Sequence, residues 1–338
     1  MRRRTVVSIL AAAAVAGFVL FVVPQIADLG PTLRRLRAGN PGWLGAGVAL
    51  EAISLTAYAA LFHGIFSRTG ARIGWRSSFQ ITFAGDVATK LFASAGAGGI
   101  ALTVWSLRAS GLDSQTVASR MVAFEVMLYA VYVAALVGAG LGLSAGVFPG
   151  PAPSGLTLVP ALAGLVLIVV AVATPSQADR WERRLQRRAS RAHGKAAQRW
   201  KRVAQVPRAL SDGLPAAWGL VRTRAEVPLS AVGYWAFDIA ALWASFRAFG
   251  HAPPAAVLVA AYFIGTLANT LPLPGGIGGV EGGLIGAFIG FGVHADLAVL
   301  AVLAYRAISY WLPTLPGVVA YFRLRRTVAG WQAAPGGS

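Results

Sequence analysis

The 338-residue chain contains no cysteine, which excludes disulfides, thiolate metal sites and a Cys nucleophile. Charge is scarce as well: only 12% of residues are charged, against about 25% in an ordinary soluble domain. The four histidines (His63, His193, His251, His294) are scattered with no metal-ligand spacing, so no metal is expected. Neither GxSxG nor a GxxxxGKS/T phosphate loop occurs, and no carboxylate pair has an identifiable acid/base partner. GIGGVEGG at 276–283 has the glycines of a dinucleotide loop but no preceding strand or βαβ context. The chain therefore reads as a non-enzyme that carries no cofactor.

What is abundant is apolar length. Hydrophobic residues make up 56% of the chain, mean hydropathy is +0.63, and several runs reach about 20 residues, enough to cross a bilayer as a helix. The expected fold is an all-α polytopic membrane protein. Full spans are predicted at 5–27, 43–66, 114–143, 156–174, 227–249 and 295–322. Two further apolar segments, 77–107 and 255–292, are interrupted by glycine at ASAGAGG and LPLPGGIGG. Each is either two short spans or one re-entrant hairpin, since broken backbone at membrane depth needs protein or water to satisfy its polar groups. MRRR opens the chain like a signal peptide, but no small-x-small site follows closely, so an uncleaved first span is expected.

The net charge of +18 is distributed for a membrane rather than for nucleic acid. Residues 176–226 hold 13 Lys/Arg against 4 Asp/Glu, half the total, and most other basic residues flank apolar runs. The chain thus divides into a membrane half at 1–175 (repeat unit about 43–143), a basic linker at 176–226, a second half at 227–325 and a short tail at 326–338. Placing the linker and both termini in the cytoplasm accommodates six spans and two hairpins, at the expense of one loop, 31–40, whose three Arg then lie outside. In the linker, Trp181, Leu185, Ala189, Ala192, Ala196, Trp200 and Val203 recur every three or four residues. Arg183, Arg184, Arg187, Arg188 and Arg191 lie mostly off that stripe. This pattern reads as an amphipathic helix on an anionic leaflet, or as a solvated linker. Trp43, Trp75, Trp218 and Trp311 read as interfacial anchors.

The two halves resemble one another at an offset near 181. The 43–66 span maps onto 224–247, SAGAGG onto GGIGGV, Gly111 onto Gly292 and Glu125 onto Arg306. With the topology above, one unit begins outside and the other inside, giving an inverted repeat with a broken segment in each unit, a plan that recurs in secondary transporters.

Of the ionisable residues within the predicted spans, seven lie away from the span ends: Glu51, Asp86, Lys90, Glu125, Asp238, Glu281 and Arg306. A central charge costs roughly 2.5–3.5 kcal/mol on insertion scales, so each needs a partner, water or a neutral form. Asp86 and Lys90 are spaced to pair on one helix face, for structure or for function. Glu281 falls in the first turn of a half-helix beginning near Gly278 or Gly279, where the positive helix end favours a carboxylate by about 0.3–1 kcal/mol. It serves there either as a partner of Arg306 or as part of a headgroup or proton site. The dense glycines around it permit close backbone approach, and their exposed N–H groups suit an anion such as phosphate.

PLPGGIGGVE at 272–281, then Gly292, then AYRAISYWLP at 304–313 resemble the flippase-like membrane proteins related to the transmembrane part of lysylphosphatidylglycerol synthases, the multiple peptide resistance factors. The resemblance covers about 10–325. The first half departs from the pattern: SAGAGG lacks the prolines, and Glu125 is not followed by the Arg that the pattern calls for. In that family the region moves lipids between leaflets. The resemblance implies a stand-alone form without aminoacyl transfer, in a bacterial inner membrane. It implies a translocation region comprising Asn269, Pro272, Pro274, Gly275, Gly276, Gly278, Gly279, Glu281 and Arg306, with Glu125 as the first-half counterpart. Expected partners are a phospholipid or lipid-linked substrate and the anionic membrane surface, with no nucleic acid. The alternative function is a scaffold for a membrane enzyme that modifies lipids or transfers sugars.

Overall fold

The computed structural model describes residues 36, 38–67, 69, 72–91, 97–191, 213–270 and 276–333, and these are helical throughout, with no strand. The elements in order are α1 (Pro41–Phe66), α2 (Trp75–Leu91), α3 (Ala97–Ala109), α4 (Ser114–Ser144) and α5 (Ser154–Arg191). Then come α6 (213–223), α7 (Glu226–Phe249), α8 (Ala255–Thr266), α9 (Gly279–Gly290), α10 (Ala295–Arg306) and α11 (Leu312–Ala333). Five of the described helical stretches are long and apolar enough to cross a membrane, counting 295–333 as one. The predicted span at 5–27 lies outside the described residues. Exposed apolar side chains along α5, such as Val172 at 75%, form the surface that lipid would cover.

Local signals set the helix starts. Asn40 caps α1, its side chain accepting from the N–H groups of Gly42 at 2.9 Å and Trp43 at 3.3 Å, and Pro41 follows where no N–H is needed. Asp113 caps α4 in the same way, through Gln115 and Thr116.

Two units of four elements share one order. In the first, α1, the α2–α3 hairpin and α4 begin at residues 41, 75, 97 and 114. In the second, α7, the α8–α9 hairpin and α10 begin at 226, 255, 279 and 295. Helices α1 and α7 pack along their full lengths and run antiparallel. Asn40 N–H donates to Ala248 O (2.9 Å) at one end, Ser54 Oγ donates to Tyr234 O (2.8 Å) midway, and Gly64 lies against Val227 at the other end. Equivalent first helices that oppose one another make the two units inverted copies. Each hairpin also packs on a helix beyond its own unit's four-element core: α2 on α11, and α8 on α4.

Each hairpin closes through glycine. A Cβ on Gly99 would stand 2.5 Å from Gly85 O, and one on Gly283 would stand 2.6 Å from Gly265 O. The arms hold 17, 13, 12 and 12 residues. At 1.5 Å per residue they run roughly 18–26 Å, short of a hydrocarbon core of about 30 Å. Both broken segments are therefore short-armed hairpins rather than pairs of full spans. Gly265→Ala should lower thermal stability by about 1–3 kcal/mol, because its Cβ would meet the Leu284 backbone at 2.6 Å. Gly286→Ala, with nothing within 4 Å, should be neutral or stabilising by up to about 1 kcal/mol. Thermal unfolding in detergent measures both.

Each hairpin also anchors one core cluster. Phe62, Phe66, Ile81 and Leu107 pack around α2 and α3, while Phe246, Phe263, Phe288 and Phe291 pack around α8 and α9.

Three boundaries differ from the sequence reading. Helix α5 does not stop near 174 but continues to Arg191, carrying the first basic residues along its own axis rather than starting a new helix. The end of the basic linker is not peripheral: α6 buries Ala217 and Leu220 in the first unit's core. The last helix runs to Ala333, past the predicted tail boundary, because Leu324 and Val328 still have a core to fill. Residues 192–212 of the linker lie outside the described residues.

Candidate functional site

Helix α9 starts where the glycine-rich sequence ends. Gly276 and Gly278 take positive φ of 68° and 81°, a conformation that side-chain-bearing residues rarely adopt. Gly278 caps the helix and Glu281 is its third residue. Glu281 Oε2 accepts from the Gly278 N–H at 2.7 Å, the return half of a capping box whose cap has no side chain of its own. Its other oxygen accepts from Arg306 Nε, also at 2.7 Å, and the two side chains are 18% and 12% exposed. Asn269 lies on the three-residue-per-turn segment Leu267–Thr270 after α8, its side chain against Gly276, so a Cβ there would be 2.5 Å from Asn269 Oδ1. Gly279 opens the helix. Pro272, Pro274 and Gly275 lie outside the described residues.

Arg306 is followed by a wide turn. Residues Ala307–Trp311 form a π-helical segment just before Pro313, which has no N–H to donate into the preceding turn. The segment brings Tyr310 between two cations: its ring lies 4.5 Å from the Arg306 guanidinium and 4.8 Å from Lys90 Nζ. Lys90 also donates to Tyr310 O at 3.2 Å and to Asp86 Oδ2 at 2.6 Å. The Asp86–Lys90 pair of the first hairpin thus meets the Glu281–Arg306 pair of the second around one tyrosine.

Glu125 stands apart from this contact. It lines a cavity of about 500 Å³ in the first unit, between α1, α2, α3 and α4. Asp86, Thr89 and Thr103 share the wall with Tyr58, Phe62, Phe124, Tyr129 and Tyr234, and the hairpin glycines Gly85 and Gly99 form part of it. Where the second unit has Arg306 bonded to a carboxylate, the first has a carboxylate facing open space.

The remaining two in-span acids sit where α1 and α7 cross. Glu51 and Asp238, 5% and 6% exposed, lie against each other. Tyr305 donates to Asp238 Oδ1 at 2.7 Å, and Tyr262 donates to its other oxygen. Glu51 lies within electrostatic range of Asp86 and Lys90, and Asp238 of Arg306, while Glu125 shares the cavity wall with Asp86, so the seven mid-span residues form one neighbourhood. The sequence reading placed Glu51 and Asp238 in no site, and it overlooked Tyr305, Tyr262 and Tyr310. The available signal was mid-span acidity; the antiparallel pairing that unites the two acids is a tertiary fact. The arginines Arg183, Arg184, Arg187 and Arg188 are exposed on the extension of α5, remote in sequence from this centre, and the side chain of Arg191 lies outside the described residues.

The sequence matches the lysylphosphatidylglycerol synthase TM region family over residues 8–317. The chain belongs to that family. Three UPF0104 membrane proteins of Methanothermobacter thermautotrophicus (strain ATCC 29096 / DSM 1053 / JCM 10044 / NBRC 100330 / Delta H) are similar over shorter stretches. One is 42% identical over 90 residues, 26% of each chain. A second is 32% identical over 95 residues, 28% of each chain. A third is 33% identical over 86 residues, 25% of this chain and 26% of the relative. The chain spans about a quarter of the length of these curated relatives. Family membership makes this a membrane protein.

Proposed function

We propose that the protein moves a phospholipid or lipid-linked headgroup between the leaflets of a bacterial inner membrane, with both termini in the cytoplasm and without covalent chemistry. One observation carries this reading: the mid-span charges lie beside a cavity in the first unit that is lined by carboxyls, hydroxyls and aromatic rings, with Tyr234 of the second unit on its wall. Holding so many ionisable groups in hydrocarbon is costly, and such groups mark substrate paths. The headgroup would enter the cavity beside Glu125 and Asp86, with its apolar tails left in lipid. Arg306 would meet phosphate as one unit rocks against the other. Membership in a family named for the synthase's transmembrane region supports a lipid as the substrate class.

The exposed arginine row on α5 supports a second reading, a scaffold that holds a lipid-modifying or glycosyl-transferring enzyme at the membrane. Reversing Arg183, Arg184, Arg187 and Arg188 to Glu separates the two. Translocation predicts unchanged exchange of labelled phospholipid in reconstituted vesicles. A scaffold predicts loss of the protein's effect in cells, with no exchange in vesicles from either form.

A further inference from the structure

The five mid-span carboxyls face two mid-span cations, Lys90 and Arg306. Asp86 is bonded to Lys90 and Glu281 to Arg306, which leaves Glu51, Asp238 and Glu125 without an ion pair among the described residues. Glu125 borders the cavity, where water can reach it, whereas Glu51 and Asp238 are sealed between α1 and α7. Two ionised carboxylates held together in a dry interior repel each other and forfeit hydration, so one of them must keep a proton.

The surroundings say which. Asp238 accepts a phenol O–H at each oxygen, from Tyr262 on α8 and Tyr305 on α10, and it lies within electrostatic range of Arg306, all of which favour its anionic form. Glu51 accepts from no phenol; Lys90 is its one cation within electrostatic range, and Asp86 and Asp238 oppose it. Its Oε2 is buried with no hydrogen-bond partner, a poor position for an anion and a tolerable one for a neutral acid. The other titratable or charged groups facing the pair are Asp86 and Lys90 from α2 and Tyr234 from α7.

We propose that Glu51 and Asp238 form a proton-binding site at the centre of the membrane domain, with the proton carried by Glu51, and that its release accompanies the movement of one unit against the other. The pair bridges α1 and α7, the two helices that equivalent positions of the inverted units contribute to the interface. A proton there neutralises a contact that must slide or tilt if the units rock, and its loss sets two anions against each other. Tyr305, which bonds Asp238, precedes Arg306 on α10, and Arg306 lies within electrostatic range of Asp238. The proton-binding part stands by itself; the coupling to movement rests on the translocation reading above.

Infrared spectroscopy of the protein reconstituted in vesicles tests the site without requiring transport. At neutral pH the wild type should show absorption from a protonated carboxyl that disappears on alkaline titration. Glu51→Gln should remove it, and Asp238→Asn should shift it. Absence of that absorption in the wild type overturns the proposal. So does absorption unchanged in both variants, or absorption suppressed by sodium at constant pH, which would mark a cation site. Lipid exchange is then followed against pH in the same vesicles: the wild type should vary and Glu51→Gln should not. A wild type with the infrared signal but no exchange at any pH sinks the translocation reading and leaves the proton site standing. Exchange that is indifferent to pH in the wild type removes the coupling.

Discussion

Arg306→Gln should cost about 3 kcal/mol of stability and stop lipid exchange in vesicles, while adding Glu281→Gln should restore the stability and leave exchange at background. The first effect follows from burial. The pair is mostly enclosed, and removing one partner of a buried ion pair leaves an uncompensated charge, typically a loss of about 3–5 kcal/mol. Glu281 would retain only the Gly278 N–H as a donor. Replacing both partners by neutral amides removes the stranded charge, which is why the double variant should recover. The second effect follows from what else Arg306 does. It faces the Tyr310 ring, and its Nη2 is buried with no hydrogen-bond partner, a donor in excess of what the fold uses. If Arg306 were only a strut, the double variant would regain exchange along with stability. Thermal unfolding and the exchange assay on the wild type, Arg306→Gln and the double variant distinguish these outcomes.

Met121→Trp should reduce exchange at least tenfold, about 1.4 kcal/mol or more in the barrier, with little change in thermal stability. Met121 lines the cavity one helical turn before Glu125, on the same face of α4. Its side chain is half-buried at the edge of the first unit's core and borders the open volume, so an indole can extend into space that already exists. Met121→Ala enlarges the cavity and should leave exchange within about twofold, well under 1.4 kcal/mol. Equal loss from both substitutions would show that the position matters for folding rather than for passage.

Much of the fold is legible in the sequence because a bilayer imposes length. Spans read at 43–66, 114–143 and 227–249 lie within a few residues of α1, α4 and α7. The start of α9 is equally legible, since glycine, proline and a third-position Glu are local signals. The boundaries that moved are those set by neighbours. Nothing local tells α5 to continue to Arg191, or tells 213–223 to bury Ala217 and Leu220 beneath α4. The site divides in the same way. The Glu281–Arg306 pairing can be read from residue types and proximity to one hairpin. The meeting of Lys90 with Tyr310 cannot, because it depends on a π-helical turn and on α2 packing against α11. Glu51 and Asp238 lie 187 positions apart and meet only because α1 and α7 run antiparallel. The offset of 181 and the inverted topology pointed to opposed units without giving the register that brings these two acids together.

The first unit shows what a degenerate motif does physically. It keeps the glycine crossing, Gly85 with Gly99, while Glu125 replaces the arginine and leaves the cavity acidic. The asymmetry gives the two halves different tasks: one offers space lined with aromatic rings and carboxyls, the other a cation held in reserve by Glu281.

The most direct test is the rate at which a headgroup-labelled phospholipid changes leaflet in vesicles containing the wild-type protein. The account predicts exchange well above that of protein-free vesicles, and its loss in vesicles carrying Met121→Trp. Exchange no faster than in protein-free vesicles, with the protein folded and correctly inserted, would contradict it.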